Sequence, residues 1–288
     1  MSEQRPAPSV VVGIDGSRSA LDAALWAVDE ALSRDIPLRL VYAIDPDAAS
    51  GTDNQAAARD LATAEIAVRH AFAAVESTEK PVKIEVEILQ ENPVRALTEA
   101  ARWAAMLCVG SIGLKHSSKG RIGSTASVLA TAARCPVAVV HGSPFGAGPQ
   151  RWVVALIDGT PASDSALRRA AEEARLRKAP LRVLTTWQAR DTDIHDHRAV
   201  AEGDRLAQAR LERRLTEWRH RYPDLDIKAV AVRGTFLNYV ASHAKSIQLL
   251  VIAHDHAHRV NELLGPPGCG ALREGNCSVL ISDRQNVL

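Results

Sequence analysis

Val10-Val11-Val12-Gly13-Ile14 and Met106-Leu107-Cys108-Val109 are apolar without interruption. Each is too short for a helix and lacks alternation, so both predict strands buried on two faces. Between them the pattern changes period repeatedly. Leu21, Ala24, Leu25 and Val28 have helical spacing, in a helix that begins near Ser19 and stops before Pro37. Leu38 to Ile44 reads as a second strand, and a polar loop follows. Leu61, Ala64, Val68, Phe72 and Val75 mark a long amphipathic helix. Val82, Ile84, Val86 and Ile88 alternate with Lys83, Glu85 and Glu87, which predicts a half-exposed strand at a sheet edge. Asn92-Pro93 opens the next helix. Strand and helix alternate throughout, so the fold class is α/β, with a doubly wound parallel sheet and right-handed crossovers. With the most apolar strands central and the alternating one at an edge, the strand order is 3-2-1-4-5. In that order ligands bind where strands one and four diverge, at their carboxyl ends, and Asp15 and Gly110 end those two strands.

The pattern then starts again. Asp15-Gly16-Ser17 returns as Asp158-Gly159-Thr160, Glu30 as Glu173, and Pro37-Leu38-Arg39 as Pro180-Leu181-Arg182, all at one constant offset along the chain. The 288 residues therefore divide into two tandem domains of one type, 1–142 and 152–288, joined by a Gly/Pro-rich linker at 143–151. Each repeat ends in an apolar strand, Val137-Ala138-Val139-Val140 or Val279-Leu280-Ile281, which the strand order puts at an edge. An uncovered apolar edge invites aggregation. Intramolecular pairing of the two repeats through these strands would cover both, and a homodimer is the further expectation.

Chemistry concentrates after the strand at 106–109. Gly110, Gly113 and Gly123-Ser124 frame a loop that leads into a helix carrying Val128, Leu129, Ala132 and Ala133. Glycines permit positive φ and close backbone approach, and the N–H groups at a helix start carry partial positive charge, so the unit reads as a phosphate cradle. Ser124 and Thr125 add hydroxyls, and Lys115, Lys119 and Arg121 add charge. Asp15 suits either a ligand contact or a helix cap. No Walker A motif occurs. The spacing Gly110-x2-Gly113-x9-Gly123-Ser124, followed by Cys135-Pro136-Val137 and a closing strand, resembles the nucleotide-binding signature of the universal stress protein family. That resemblance, which covers nearly the whole chain, implies an ATP-binding regulatory protein of stress response or growth control, with slow hydrolysis at most. It implies that Asp15 contacts adenosine, that Gly13, Val41 and Ala43 line the adenine pocket, and that Gly110, Ser111, Gly113, Gly123, Ser124 and Thr125 hold ribose and phosphates. Mg²⁺ would accompany the triphosphate. The alternative is a nucleotide-free protein-interaction scaffold of the same fold.

The second repeat has Ala253, His256 and Gly265-Pro266 where the first has its glycines, and Pro266 has no N–H to donate. One competent site, in the first half, is therefore expected. His254-Asp255-His256-Ala257-His258 and His195-Asp196-His197 would lie near one end of the second sheet. They read as solvated loop histidines, and only their convergence would make a zinc, nickel or copper site, so no metal ligand is assigned.

Composition narrows the classes further. A net charge of +1 gives no electrostatic argument for a nucleic-acid surface. No apolar run approaches a membrane span, and the N-terminus lacks the features of a secretion signal, so a cytoplasmic protein is expected. Cys108, Cys135, Cys269 and Cys277 form no CxxC pair and read as small buried hydrophobes rather than disulfide or zinc ligands. No GxSxG or HExxH motif is present, and no catalytic residue is assigned.

Overall fold

The computed structural model describes residues 7–46, 54–114, 122–142, 151–160, 162–189, 196–255 and 257–282. It divides into two compact units, residues 1–146 with 260–269, and residues 147–259 with 270–288.

In the first unit the strands are β1 (Val10–Ile14), β2 (Leu38–Ile44), β3 (Ile84–Gln90), β4 (Met106–Gly110) and β5 (Val137–Val140). They lie in the order β3-β2-β1-β4-β5, every pair parallel, so the doubly wound order 3-2-1-4-5 holds. The two uninterrupted apolar runs are central, and Val10, Val11, Val12, Met106, Leu107 and Cys108 have no exposed surface. Strand β3 is at the edge as expected, but it starts later than the alternating stretch and runs past its end, to Gln90.

The helices are α1 (Arg18–Ser33), α2 (Asn54–Glu76), α3 (Pro93–Ala100) and α4 (Ser124–Ala132). Ser17, not Asp15, caps α1, its hydroxyl accepting from Ala20 N at 3.1 Å. Asn92 caps α3 by accepting from Val94 N at 3.0 Å, with Pro93 in the first helical position. The buried face of α1 is wider than the expected stripe, since Ala20, Ala23, Trp26 and Ala27 are buried beside Ala24 and Val28. A helix lying over a central strand is covered on its flanks as well. In α4 the buried residues are Ala126, Leu129 and Ala130, and the expected core residue Val128 is 44% exposed.

The second unit repeats the plan with β6 (Trp152–Leu156), β7 (Leu181–Trp187), β8 (Ile227–Arg233), β9 (Ile247–Ala253) and β10 (Ser278–Ser282), in the order β8-β7-β6-β9-β10, all parallel. The register repeats too. Val10 opposes Leu38 and Met106, and Val153 opposes Leu181 and Leu249, so all three positions move by the same offset that relates Asp15 to Asp158. Helices α5 (Ala162–Leu176), α6 (His197–Arg221), α7 (Phe236–Ser242), α8 (Ala257–Leu264) and α9 (Pro266–Glu274) complete the chain. Among the described residues no helix is long and apolar enough to cross a membrane.

All four cysteines are buried thiols outside any disulfide. Burial pushes the Cys277 thiol up to about 12, with Arg151 opposing the rise only in part. Thiolate is the reactive form, so the native protein is expected to take up no thiol reagent at pH 8 and to react at all four positions once unfolded. Titration with Ellman's reagent with and without denaturant measures both.

Candidate functional site

The site begins with the turn after β1. Gly16 adopts a φ of 83°, which an L side chain rarely takes, and this lets the chain reverse into α1 while the Asp15 carboxylate stays at the carboxyl end of the sheet. Its Oδ1 accepts from Ser17 N at 2.9 Å and its Oδ2 from Leu114 N at 3.2 Å. Asp15 thus ties the end of β1 to the glycine loop that follows β4, across the divergence between strands one and four.

The glycines of that loop act through space rather than through unusual dihedrals. Positive φ occurs at none of Gly110, Gly113 and Gly123. A Cβ on Gly110 would lie 2.6 Å from the carbonyl carbon of Ser19, and one on Gly113 would lie 2.8 Å from Asp15 Oδ2. Their absence lets the loop sit against the start of α1 and against the carboxylate. Gly123 differs: a Cβ there would meet only ordinary contacts, at 3.5 Å from Gly113 N and 3.7 Å from Ser111 O.

Ser111 is 4% exposed. Its N–H donates to Val140 O at 3.0 Å, and its carbonyl accepts from Gly123 N at 2.9 Å, which closes the loop on itself. Ser19 is the residue that sequence reasoning missed. Its hydroxyl lies 3.4 Å from Ser111 Oγ and accepts from Ile112 N at 3.4 Å. Only its place in the first turn of the helix after Asp15 could have suggested it.

Gly123 is the N-cap of α4 and supplies no side-chain hydrogen bond, so Ser124 and Thr125 open the helix without the cap that Ser17 and Asn92 give α1 and α3. The N–H groups of a first turn have no intrahelical partner, and Gly123 at this end lies beside Gly113 and Ser111. Lys115, Lys119 and Arg121 lie outside the described residues.

Gly13 opposes Val41 in the sheet, and a Cβ on it would lie 2.9 Å from Leu97 Cδ1. Val41 is 1% exposed, while Ala43, further along β2, is half-buried. Tyr42, on the opposite face from both, has its phenol pKa raised by burial and then by the charges of Asp15 and Asp60. The carboxyl end of this sheet therefore carries negative potential at Asp15 and the dipole of an uncapped helix at Ser124.

The universal stress protein family model matches residues 8–141 and again residues 151–282. The chain belongs to the universal stress protein family. A universal stress protein of Mycobacterium tuberculosis (strain H37Rv) is 45% identical over 287 residues, covering 99% of each chain. A second from the same strain is 46% identical over 277 residues, covering 94% of this chain and 97% of its own. The crystal structure of a universal stress protein from Archaeoglobus fulgidus superposes with a TM-score of 0.68 at 14% identity, covering 96% and 97% of the two chains, a likeness of fold.

The second universal stress repeat is built differently at the corresponding place. Asp158 turns to its own loop, its Oδ1 accepting from Thr160 N at 2.8 Å, Thr160 Oγ1 at 2.6 Å and Ser163 Oγ at 2.7 Å. Arg214 of α6 donates to the Asp158 carbonyl and to Asp164 Oδ1. Trp187 ends β7 with its Nε1 donating to Asp204 at 3.0 Å, and its ring lies so close to Gly203 that a Cβ there would overlap it. Pro266 heads α9.

Of the described histidines in the two loops, His197 and His258 are exposed as expected, whereas His254, directly after β9, is 7% exposed. Asp196 caps α6 by accepting from Arg198 N and Ala199 N, and His197 is the first helical residue. His258 is exposed on α8, whereas His195 and His256 lie outside the described residues. Among the described residues no group of three His, Cys, Asp or Glu could hold a metal ion.

Proposed function

We propose that this universal stress protein binds one ATP per chain, in the first repeat, and acts as a regulator in the stress response. The observation that carries the reading is the junction of Asp15 with the glycine loop, which brings the end of β1 to the uncapped start of α4. The pieces suit the two halves of the ligand separately. A carboxylate repels phosphate and accepts from ribose hydroxyls, so Asp15 belongs to the adenosine end. First-turn N–H groups with the Ser124 and Thr125 hydroxyls belong to the phosphate end. Mg²⁺ would accompany the triphosphate through phosphate and water oxygens. In the second repeat, Asp158 is engaged by Thr160 and Ser163 and the helix start carries proline, which supports one site rather than two.

Native mass spectrometry of freshly purified protein is expected to show the mass of one retained ATP, and calorimetry with ATP and Mg²⁺ a stoichiometry of one per chain. Gly123→Val has space for its Cβ and no dihedral strain, so it should fold normally. Its larger branched side chain crowds the phosphate end, and affinity should fall roughly tenfold or more. Two equivalent sites would refute the asymmetry, and unchanged affinity in a folded Gly123→Val variant would place the phosphates elsewhere.

A further inference from the structure

The two repeats treat one surface position in opposite ways. In the second unit Trp152, Tyr239 and His243 form an aromatic stack. The Tyr239 and His243 rings are stacked at 4.2 Å between centroids, and Trp152 meets His243 at 5.8 Å. The Arg182 guanidinium covers the stack, its Cζ lying 5.2 Å from the Trp152 centroid, while the same guanidinium pairs with Asp226 at 3.1 Å. Packed this way, the Arg182 side chain is 11% exposed.

At the offset that relates the two repeats, Trp152, Tyr239 and His243 correspond to Ser9, Ala96 and Ala100, and Arg182 corresponds to Arg39. The strand registers of the two units agree at this offset, so the correspondence is spatial as well. The arginine is kept and the aromatic rings are gone. What remains in the first unit is a groove of ≈820 Å³ whose lining includes Ser9, Arg39, Glu87, Ala96, Ala100 and Trp103, with the charged side chains of α3 beside them. Arg39 is held by Glu87 along the edge strand and is 29% exposed, and Trp103 stands at the rim, 43% exposed.

We infer that this groove is a second binding site, which takes a small molecule with a planar aromatic ring beneath the Arg39 guanidinium. The second unit shows what fills the space when the chain fills it itself: flat rings, one of them under the arginine. The floor of small residues in the first unit leaves room for a ring, Arg39 supplies a cation for its face, and Trp103 supplies a second aromatic surface at the edge. The volume is within the range of small-molecule sites. None of the residues assigned to the nucleotide lines the groove, so the inference stands independently of ATP binding.

The test is saturation-transfer NMR on the full chain with indole as the probe and cyclohexanol as a non-aromatic control. Indole is expected to bind saturably with a dissociation constant on the order of 1 mM or tighter, and cyclohexanol at least tenfold more weakly. Arg39→Met should weaken indole binding several-fold, and the triple variant Ser9→Trp, Ala96→Tyr, Ala100→His, which imports the second unit's stack, should abolish it. Saturating ATP with Mg²⁺ should leave indole binding unchanged. Absence of saturable binding up to ~10 mM, equal binding of cyclohexanol, an Arg39→Met variant that binds as the parent does, or displacement by ATP would each overturn the inference. Should the triple variant fail to fold, Arg39→Met and the cyclohexanol comparison decide the matter on their own.

Discussion

Gly110→Val is expected to destabilise the first unit more than any other substitution in the glycine loop, and Gly110→Ala to do so in smaller measure. The first added atom would lie 2.6 Å from the Ser19 carbonyl carbon, 2.7 Å from Ala20 N and 2.7 Å from Ser19 Oγ. Two of those three atoms are backbone of the first turn of α1, so no side-chain rotation relieves the overlap. Either α1 shifts away from β4, or β4 shifts away from its neighbours β1 and β5. Forcing extra atoms into close packing costs about 1–3 kcal/mol, and a backbone obstacle puts even alanine at the upper end. For a unit of this size that corresponds to a loss of roughly 6–12 °C in melting temperature, with valine beyond it. Nucleotide affinity should fall in parallel, because Ser19 also holds Ser111 and Ile112. Gly123→Ala is the control, since a Cβ there meets nothing closer than 3.5 Å and should change stability by no more than about 1 kcal/mol. Scanning calorimetry of the three variants ranks them, and equal melting temperatures for the substitutions at 110 and 123 would defeat the packing argument.

The contrast between these glycines marks where the sequence stops being informative. Both belong to one motif, and spacing alone makes them equivalent. Only the approach of α1 separates a glycine excluded by backbone from one with space beside it. Strand identity was legible for a different reason: an apolar run of four or five residues fits the interior of a parallel sheet, and β1 and β4 follow their runs closely. Strand β3 is less self-determined. Its ends are set by its partner, since Leu38 to Ile44 oppose Ile84 to Gln90, so it begins at Ile84 although its own alternation starts at Val82. That Asp15 lies at the carboxyl end of β1 was readable from its position after the apolar run. Its second hydrogen bond, to the backbone N–H of the distant Leu114, was not, because a main-chain donor leaves no mark in the sequence. The groove beside Arg39 was equally invisible: small residues at 9, 96 and 100 read as ordinary until the matching positions of the second repeat are seen to carry a stack.

Arg34→Met is expected to cost about 3 kcal/mol, and Arg177→Met a similar amount. Glu30 and Glu173 are matching residues of the two repeats, and each lies on the first long helix of its unit with its side chain 0% or 1% exposed. In both cases an arginine one helical turn on supplies the cation. Arg34 donates to Glu30 Oε2 at 2.8 Å and to the Glu30 carbonyl at 2.7 Å, and Arg177 makes the same two contacts with Glu173. The arginines are 21% and 14% exposed, so water reaches them and hardly reaches the carboxylates. Removing the arginine is thus the harsher half of the experiment, because it leaves a carboxylate in the interior without that cation. Breaking a buried pair in this way costs about 3–5 kcal/mol, and the partial exposure of the arginines argues for the lower end. The double variant Glu30→Met, Arg34→Met should recover much of the loss, since two apolar side chains of similar volume carry no desolvation penalty. Lys83→Met provides the surface comparison: Lys83 and Glu85 are 72% and 42% exposed, and their pair should be worth no more than about 1 kcal/mol. Thermal and denaturant unfolding of the four variants should separate Arg34 and Arg177 from Lys83, and a loss at Arg34 no larger than that at Lys83 would mean that the interior carboxylate does not depend on its arginine.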